Sequence, residues 1–288
     1  MSKKVAVVTG SNKGIGLAIV KNLCKRFDGV VFLTSRDNSR GLTSIKKLKK
    51  EEVYPEYHQL DVTDKNSVKI FGDYIKQRYE GIDVLINNAG VSNNVDMFDL
   101  NYDSCDEIVD INYRSLIIIE EFLFPLLKEN ARVINISSDC GHLSNIRNKY
   151  WIERFTKKFT KEDINEFVNW FLVNVKNGIF NKEDIADGAS VPAYRVAKVA
   201  MSALTIVQQR LLEGRGICVN SMHPGLVRTD MTSGIGFLSV EEAAETPVYL
   251  ALDAPSSLKG QYVWWDGKVV DWYDFKADYY FKCKTLMG

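Results

Sequence analysis

The sequence predicts a doubly wound α/β fold, a parallel sheet of seven strands with helices on both faces. Three observations lead there. Short, continuous apolar runs recur along the 288 residues, of the kind that form strands buried on both sides. The segments between them carry apolar residues at helical spacing. The first run passes straight into a glycine turn and then a helical pattern, the opening of a βαβ unit, and successive parallel strands of that kind require right-handed crossovers.

Val5-Ala6-Val7-Val8-Thr9 is the first strand. It leads into Gly10-Ser11-Asn12-Lys13-Gly14-Ile15-Gly16, and Leu17 to Phe27 reads as helix with Ile19, Val20 and Leu23 inward. This order sets backbone N–H groups and the positive end of a helix where a phosphate can sit, with glycines that let the backbone come close. The spacing GxxxGxG differs from the common dinucleotide spacing GxGxxG, and the Gly-Lys-Ser/Thr of a Walker A loop is missing. Val30 to Thr34 is the second strand, ending in Ser35-Arg36-Asp37 with Arg40 at helical spacing. An acidic side chain here favours the 2′-hydroxyl of NAD, whereas a guanidinium favours the 2′-phosphate of NADP. Arg36, Arg40 and Lys13 can converge there; Asp37 argues the other way, and plain solvated charges are the alternative.

Glu56 to Leu60 is the third strand, and Asp64 is placed to cap the helix through Val68, Phe71, Ile75 and Tyr79. Asp83 to Ile86, the fourth strand, ends in Asn87-Asn88-Ala89-Gly90, amides that can tie strand ends together or bind a ligand. Two helical segments follow, Cys105 to Tyr113 and Ser115 to Lys128, with Asn112 near their junction, where a mid-helix asparagine is locally unfavourable. That is either a functional position or a solvated one. Arg132 to Ile136 is the fifth strand, and Ser137-Ser138 stand at its carboxyl end, where open parallel sheets place ligands.

The stretch from about 139 to 193 is rich in Asn, Lys, Phe and Trp. Thr160-Lys161-Glu162-Asp163 resembles a helix-start box, with Ile164, Phe167, Phe171 and Val175 following at helical spacing. It reads as a helical insertion packed on the domain edge, too short to bury a core of its own, so the chain is expected to form one domain over 1–288. Trp151 and Trp170 read as packing residues. Pro192-Ala193-Tyr194-Arg195-Val196-Ala197-Lys198 then opens a long helix, and Tyr194 and Lys198, four residues apart, share one face. A tyrosine ionises near pH ~10, and lowering that by about two to three units requires roughly 3–4 kcal/mol of phenolate stabilisation, part of which a lysine one turn away can supply. A lone YxxxK is also compatible with an ordinary surface helix. Gly216 to Met222 is strand six and Gln261 to Trp265 strand seven. Between them Ser239 caps a helix through Ala251, and a loop at about 229–238 is expected to shape the substrate pocket. The tail from Asp266 to Gly288 has no readable pattern.

Composition narrows the class of partner. With 45% hydrophobic and 26% charged residues the chain can bury a sizeable core. Lys+Arg (37) balance Asp+Glu (37), which removes the electrostatic case for nucleic acid or an acidic membrane as the main partner. Cys24, Cys105, Cys140, Cys218 and Cys283 show no CxxC spacing and an odd count, so neither a disulfide framework nor a metal site is signalled. No long uninterrupted apolar run marks a signal peptide or a membrane span. The expectation is a cytoplasmic protein with no metal, no nucleic acid and no membrane partner.

Taken together, Thr9-Gly10 with Gly14-Ile15-Gly16, Asn87-Asn88-Ala89-Gly90, Asn112, Ser138, Tyr194-Lys198 and Pro224-Gly225 resemble the motif set of the short-chain dehydrogenase/reductases, in order and over most of the chain. Within that Rossmann-fold family the sequence is most similar to the monomeric, NADPH-dependent carbonyl reductases. The shared stretches are Gly14 to Val20, Tyr57 to Asp61, Val227 to Met231, Glu245 to Leu252 and the long insertion, which plant relatives reducing alkaloid or terpenoid ketones also carry. The resemblance implies that Tyr194 donates a proton to a carbonyl oxygen, that Lys198 lowers the phenol's pKa and bonds the nicotinamide ribose, that Ser138 hydrogen-bonds the same oxygen, and that Asn112 holds a relay water. For NADPH it implies Gly10 to Gly16 at the pyrophosphate, with Asn12, Lys13, Arg36 and Arg40 at the 2′-phosphate. Asp61 and Val62 would lie at the adenine, Asn88, Ala89 and Gly90 at the adjoining ribose, and Val227 to Thr229 at the carboxamide. One departure is His223, where close animal carbonyl reductases have a cysteine associated with glutathione-bearing substrates; His223 reads as a pocket wall, His58 and His142 as structural. The alternatives are an alcohol or hydroxysteroid dehydrogenase working oxidatively, and a non-catalytic NADP-sensing protein. The insertion is expected to cover the helices that pair in oligomeric relatives, leaving a monomer.

Overall fold

Val5, Ala6, Val7 and Val8 make up most of β1 (Lys4–Val8), and all four are completely buried. Val5 and Val7 join a hydrophobic cluster on one side of the sheet, Ala6 and Val8 a second cluster on the other. That split is what a central strand with helices on both faces requires. The computed structural model describes residues 3–92, 98–186 and 190–276.

The remaining strands are β2 (Gly29–Ser35), β3 (Glu56–Gln59), β4 (Ile82–Asn87), β5 (Leu127–Ile136), β6 (Cys218–Met222), β7 (Tyr262–Val263) and β8 (Val269–Val270). Their order across the sheet is β3-β2-β1-β4-β5-β6-β7-β8, with β1 to β7 parallel throughout. The expected seven parallel strands are therefore present, joined by an antiparallel eighth that the unpatterned tail contributes. The winding direction reverses between β1 and β4, so their carboxyl ends open a crevice.

One face is covered by α1 (Gly14–Arg26), α2 (Asn38–Lys50) and α10 (Glu245–Leu252). The other carries α3 (Lys65–Arg78), α4 (Tyr102–Val109), α5 (Ser115–Leu123), α7 (Lys161–Lys176) and α8 (Pro192–Leu212). The sequence-level starts are met in detail. Asp64 caps α3 by accepting the Asn66 N–H at 2.9 Å. Thr160 and Asp163 cap each other's backbone at the head of α7.

Several boundaries differ from expectation, three of them for a visible reason. The helix expected through Lys128 stops at Leu123, because Pro125 cannot continue the hydrogen-bond ladder; a 3₁₀ turn carries the chain to Leu127, where β5 begins. The helix begun by Ser239 divides into α9 (Val240–Ala243) and α10, which puts Pro247 in a first turn, where a missing N–H is harmless. Between α4 and α5 the chain takes one π-helical turn, Asp110–Arg114, around Asn112.

The insertion forms α6 (Lys149–Thr156) and α7. It packs against α4 and α8. Phe155, Phe159, Phe167 and Phe171 are buried in the same cluster as α8, with Trp151 buried among them and Trp170 half-buried. Residues 187–189 of the expected insertion, and the tail from 277 with Cys283, lie outside the described residues.

Candidate active site

α8 begins beside the sheet's carboxyl edge. Val191, just before it, has a left-handed backbone (φ 44°), an uncommon conformation for a β-branched residue, and Pro192 occupies the first turn. Tyr194 is half-buried and Lys198 fully buried one turn later, its Nζ 5.5 Å from the centre of the Tyr194 ring. Lys198 Nζ donates to the Ile136 carbonyl at 2.8 Å, which ties α8 to the end of β5. Ser138 leaves that same strand end.

Burial works against charge on both partners of the pair. It raises the Tyr194 phenol above its ordinary range, with Cys140 adding to the rise and the Ser138 hydroxyl opposing it. It pushes the Lys198 ammonium down to about 7. The expected lowering of the phenol by Lys198 is absent and desolvation dominates, so the phenol is a proton donor across the neutral range and the lysine is the group that titrates there.

Asn112 is completely buried. Its Nδ2 donates to the Val91 carbonyl at 2.8 Å and to the Ile108 carbonyl at 2.9 Å, which explains how the π turn tolerates it. Its Oδ1 is buried without a hydrogen-bond partner. A Cβ on Gly90 would stand 2.8 Å from that oxygen and 3.5 Å from Lys198 Nζ, so the glycine permits the close approach of all three. The orphaned acceptor, the lysine and the phenol thus border one space.

Ser138 Oγ donates to Asp139 Oδ1 at 2.8 Å and accepts the Cys140 N–H at 3.2 Å. Burial acts to raise the Asp139 carboxyl, but the His223 ring, the Ser138 hydroxyl, the Arg195 guanidinium and the Cys140 N–H together hold it below the usual range. His223, expected as a pocket wall, also supports this loop: its Nδ1 accepts the Asp139 N–H at 2.8 Å, so the neutral ring carries its proton on Nε2. Burial lowers its pKa, and its ring stands edge-on to Trp264. Sequence reading passed over Asp139 and Arg195. Arg195 is buried, donating to the Ser190 carbonyl at 2.7 Å and to Asn145 Oδ1, while Asn145 Nδ2 donates to the Asp139 carbonyl at 2.8 Å. The only available signal was a charge inside an apolar helical stripe.

On the opposite side of the crevice the glycine turn follows β1. Gly10 has φ +59°, and a Cβ there would come within 2.8 Å of Ala89 Cα. Asn88 Nδ2 donates to the carbonyls of Thr9 and Gly10 at 2.9 and 3.0 Å, and Thr9 Oγ1 accepts the N–H groups of Asn88 and Ala89. Of the two roles open to these amides, the Asn88 side chain takes the structural one, fixing the turn against β4. Asn12 and Ile15 are half-buried, and the Asn12 carbonyl accepts from Ser44 Oγ at 2.6 Å. α1 has no side-chain cap and no acidic residue in its first turn, unlike α2, α3, α4 and α7, whose N-caps are filled by their own side chains. Its amides at Gly14 to Gly16 therefore remain for an anion such as a pyrophosphate, so the residues present fit a dinucleotide.

Arg36 and Arg40 are exposed at the end of β2. Asp37 is turned to its own helix, accepting the Arg40 N–H at 2.9 Å and the Ser39 hydroxyl at 2.7 Å as the cap of α2. This removes it as a competitor for a ribose hydroxyl. Lys13 Nζ pairs with Asp230 Oδ2 at 2.8 Å across the crevice, with both side chains exposed. Asp61 caps its own turn through Thr63, and Val62 is buried beside it. Val227 is buried and Thr229 half-buried on the facing loop, which Arg228 N and Phe237 N hold closed by bonds to Leu238 and Leu226.

Residues 4–151 match the family model described as short chain dehydrogenase. Carbonyl reductase (NADPH) 1 of Sus scrofa is 38% identical over 278 residues, 93% of this chain and 94% of that one. Among solved structures, salutaridine reductase from Papaver somniferum superposes with a TM-score of 0.81 at 31% identity, covering 90% of this chain and 99% of that one. Menthone neomenthol reductase from Mentha piperita gives 0.76 at 27%, covering 91% and 99%.

Proposed function

The chain belongs to the short chain dehydrogenase family, and from that premise we propose that it reduces ketones, aldehydes or quinones to alcohols with NADPH. The observation that carries this reading is the Tyr194–Lys198 pair buried at the carboxyl end of β5, within the same crevice as the uncapped head of α1. The oxidative alternative is not favoured, since the relatives are named as reductases.

Bound at the glycine turn, the cofactor supplies the hydride. The remaining work falls to side chains. Tyr194 gives its proton to the substrate oxygen, for which a phenol held protonated by burial is suited. Ser138 turns its hydroxyl from Asp139 to bond that oxygen as charge develops on it, in a setting where a protein donor is worth more than water. The lysine ammonium favours the phenolate that is left, and the orphaned Asn112 Oδ1 holds a water between solvent and Lys198 for reprotonation. Asn12, Lys13, Arg36 and Arg40 take the 2′-phosphate, Gly10 to Gly16 the pyrophosphate, Asp61 and Val62 the adenine, the backbone of Asn88 to Gly90 the ribose, and Val227 and Thr229 the carboxamide.

The test is oxidation of NADPH by a panel of quinones, aromatic aldehydes and cyclic ketones, read at the reduced-nicotinamide absorbance; a panel left unreduced overturns the reading. The same assay checks a pH dependence. Loss of the Lys198 proton removes the cation that favours phenolate, so kcat/KM for reduction is expected to fall as pH rises through about 7. Lys198→Arg, which keeps its charge, is expected to shift that falling limb to higher pH while lowering the plateau. A limb left in place in the arginine variant assigns it to another group.

A monomer is part of the same proposal, supported by the packing of α7 on α4 and α8, which covers helices that would otherwise be available to a second copy. Sedimentation is expected to return a mass near 32.7 kDa, and a value near twice that refutes it. A cytoplasmic location is supported by the free thiols of Cys24, Cys105, Cys140 and Cys218, and among the described residues no helix is long and apolar enough to cross a membrane.

A further inference from the structure

The loop that carries Ser138 out of β5 is gripped from the far end of the chain. The Tyr262 hydroxyl in β7 donates to the Ser138 carbonyl. Just past β8, Trp272 Nε1 donates to the Gly141 carbonyl at 2.7 Å, and the Asp271 carbonyl meets His142 Nε2 at 2.8 Å. Because Asp271 offers a carbonyl there, His142 is the donor, which leaves its Nδ1 to accept the Ser144 N–H at 3.2 Å. Three bonds thus span Ser138 to His142 from one side.

The opposite side of the loop has no slack. A Cβ on Gly141 would lie 2.1 Å from Ser137 Oγ, 2.8 Å from Ser202 Oγ and 2.9 Å from the Lys198 carbonyl. Gly141 is therefore pressed against α8 within the turn that bears Lys198. Trp272 itself is buried, its ring edge-on to Phe155 at 6.1 Å and tilted against Phe159 at 6.2 Å. Both phenylalanines belong to the insertion, so the insertion braces the C-terminal strap, the strap holds the loop, and the loop sits on α8.

Resting on the carbonyl-reductase reading, we propose that Trp272 is a positioning residue that sets Ser138 against Tyr194 by clamping the Ser138–His142 loop onto α8. A fixed donor loses effect steeply when it drifts, since about 1 Å of misplacement can cost about 10²-fold. Tyr262 assists from the Ser138 carbonyl.

The test is Trp272→Phe, which keeps an aromatic ring in the Phe155–Phe159 cradle and removes the N–H. Hydrogen exchange at the amides of Cys140 to His142 is expected to quicken, with the melting temperature little changed. In NADPH-dependent reduction kcat is expected to drop about tenfold with cofactor affinity unchanged. In a Ser138→Ala background the same substitution is expected to add nothing, because a residue acting through Ser138 has no further effect once its hydroxyl is gone. Unchanged exchange, or a full additional loss in the Ser138→Ala background, overturns the proposal. Tyr262→Phe, which removes only the hydroxyl on the Ser138 carbonyl, carries the same expectations should the tryptophan variant not fold. The exchange measurement needs no turnover: faster exchange in a protein whose wild type reduces no carbonyl sinks the functional reading and leaves the clamp.

Discussion

Tyr194→Phe is expected to lower kcat for carbonyl reduction by about 10³-fold while NADPH binding persists. The substitution deletes one hydroxyl from a half-buried ring and leaves the aromatic surface that packs at the head of α8. What is lost is the proton donor. Burial keeps the phenol protonated well above neutral pH, so no other described group is positioned to give a proton at that point: Lys198 is directed to the Ile136 carbonyl, and the Ser138 hydroxyl to Asp139. Cofactor affinity is expected to hold because the glycine turn is fixed from β4, through Asn88 and Thr9, and not from α8. Steady-state turnover beside calorimetric titration of NADPH separates the two quantities. Turnover within a few-fold of wild type refutes the role of Tyr194, and loss of binding with turnover would show instead that the ring holds the cofactor.

Reversing the charge at the end of β2 is the second large effect. The Arg36→Asp, Arg40→Ser double variant is expected to cut the ratio of kcat/KM for NADPH to that for NADH by about two orders of magnitude. Charge-assisted hydrogen bonds of roughly 1.5–3 kcal/mol each set that scale. Both guanidiniums are exposed, and the nearest acid, Asp37, lies 3.8 Å from Arg40 Nε while it caps α2. The Lys13–Asp230 pair is exposed and screened by water, so a phosphate dianion can displace Asp230 from the lysine at little cost. An unchanged cofactor ratio would show that the 2′-phosphate lies elsewhere.

The parts of the site that could be read from the sequence are those in which local pattern and chemistry coincide. Tyr194 and Lys198 are one helical turn apart, so their shared face follows from the helix alone. The glycine turn is contiguous and follows a strand. Asn112 was conspicuous because an asparagine inside a helix needs an explanation, and its two carbonyl partners with the π turn supply one. Asn88 illustrates the limit: its residue type allowed a ligand contact or a strand tie, and only the pairing of β1 with β4 decides for its side chain.

Local pattern thus determined the doubly wound sheet, the helix starts at Asp64 and Thr160, and the Tyr194–Lys198 pair, because each depends on residues within a few positions of one another. Tertiary structure alone decided the desolvation that pushes Lys198 to about 7 and the union of Ser138, His223, Arg195, Tyr262 and Trp272 around one loop. Those outcomes rest on contacts between segments 50 to 131 residues apart and on how much water the folded chain excludes. Neither quantity has any periodicity along the sequence from which it could be read.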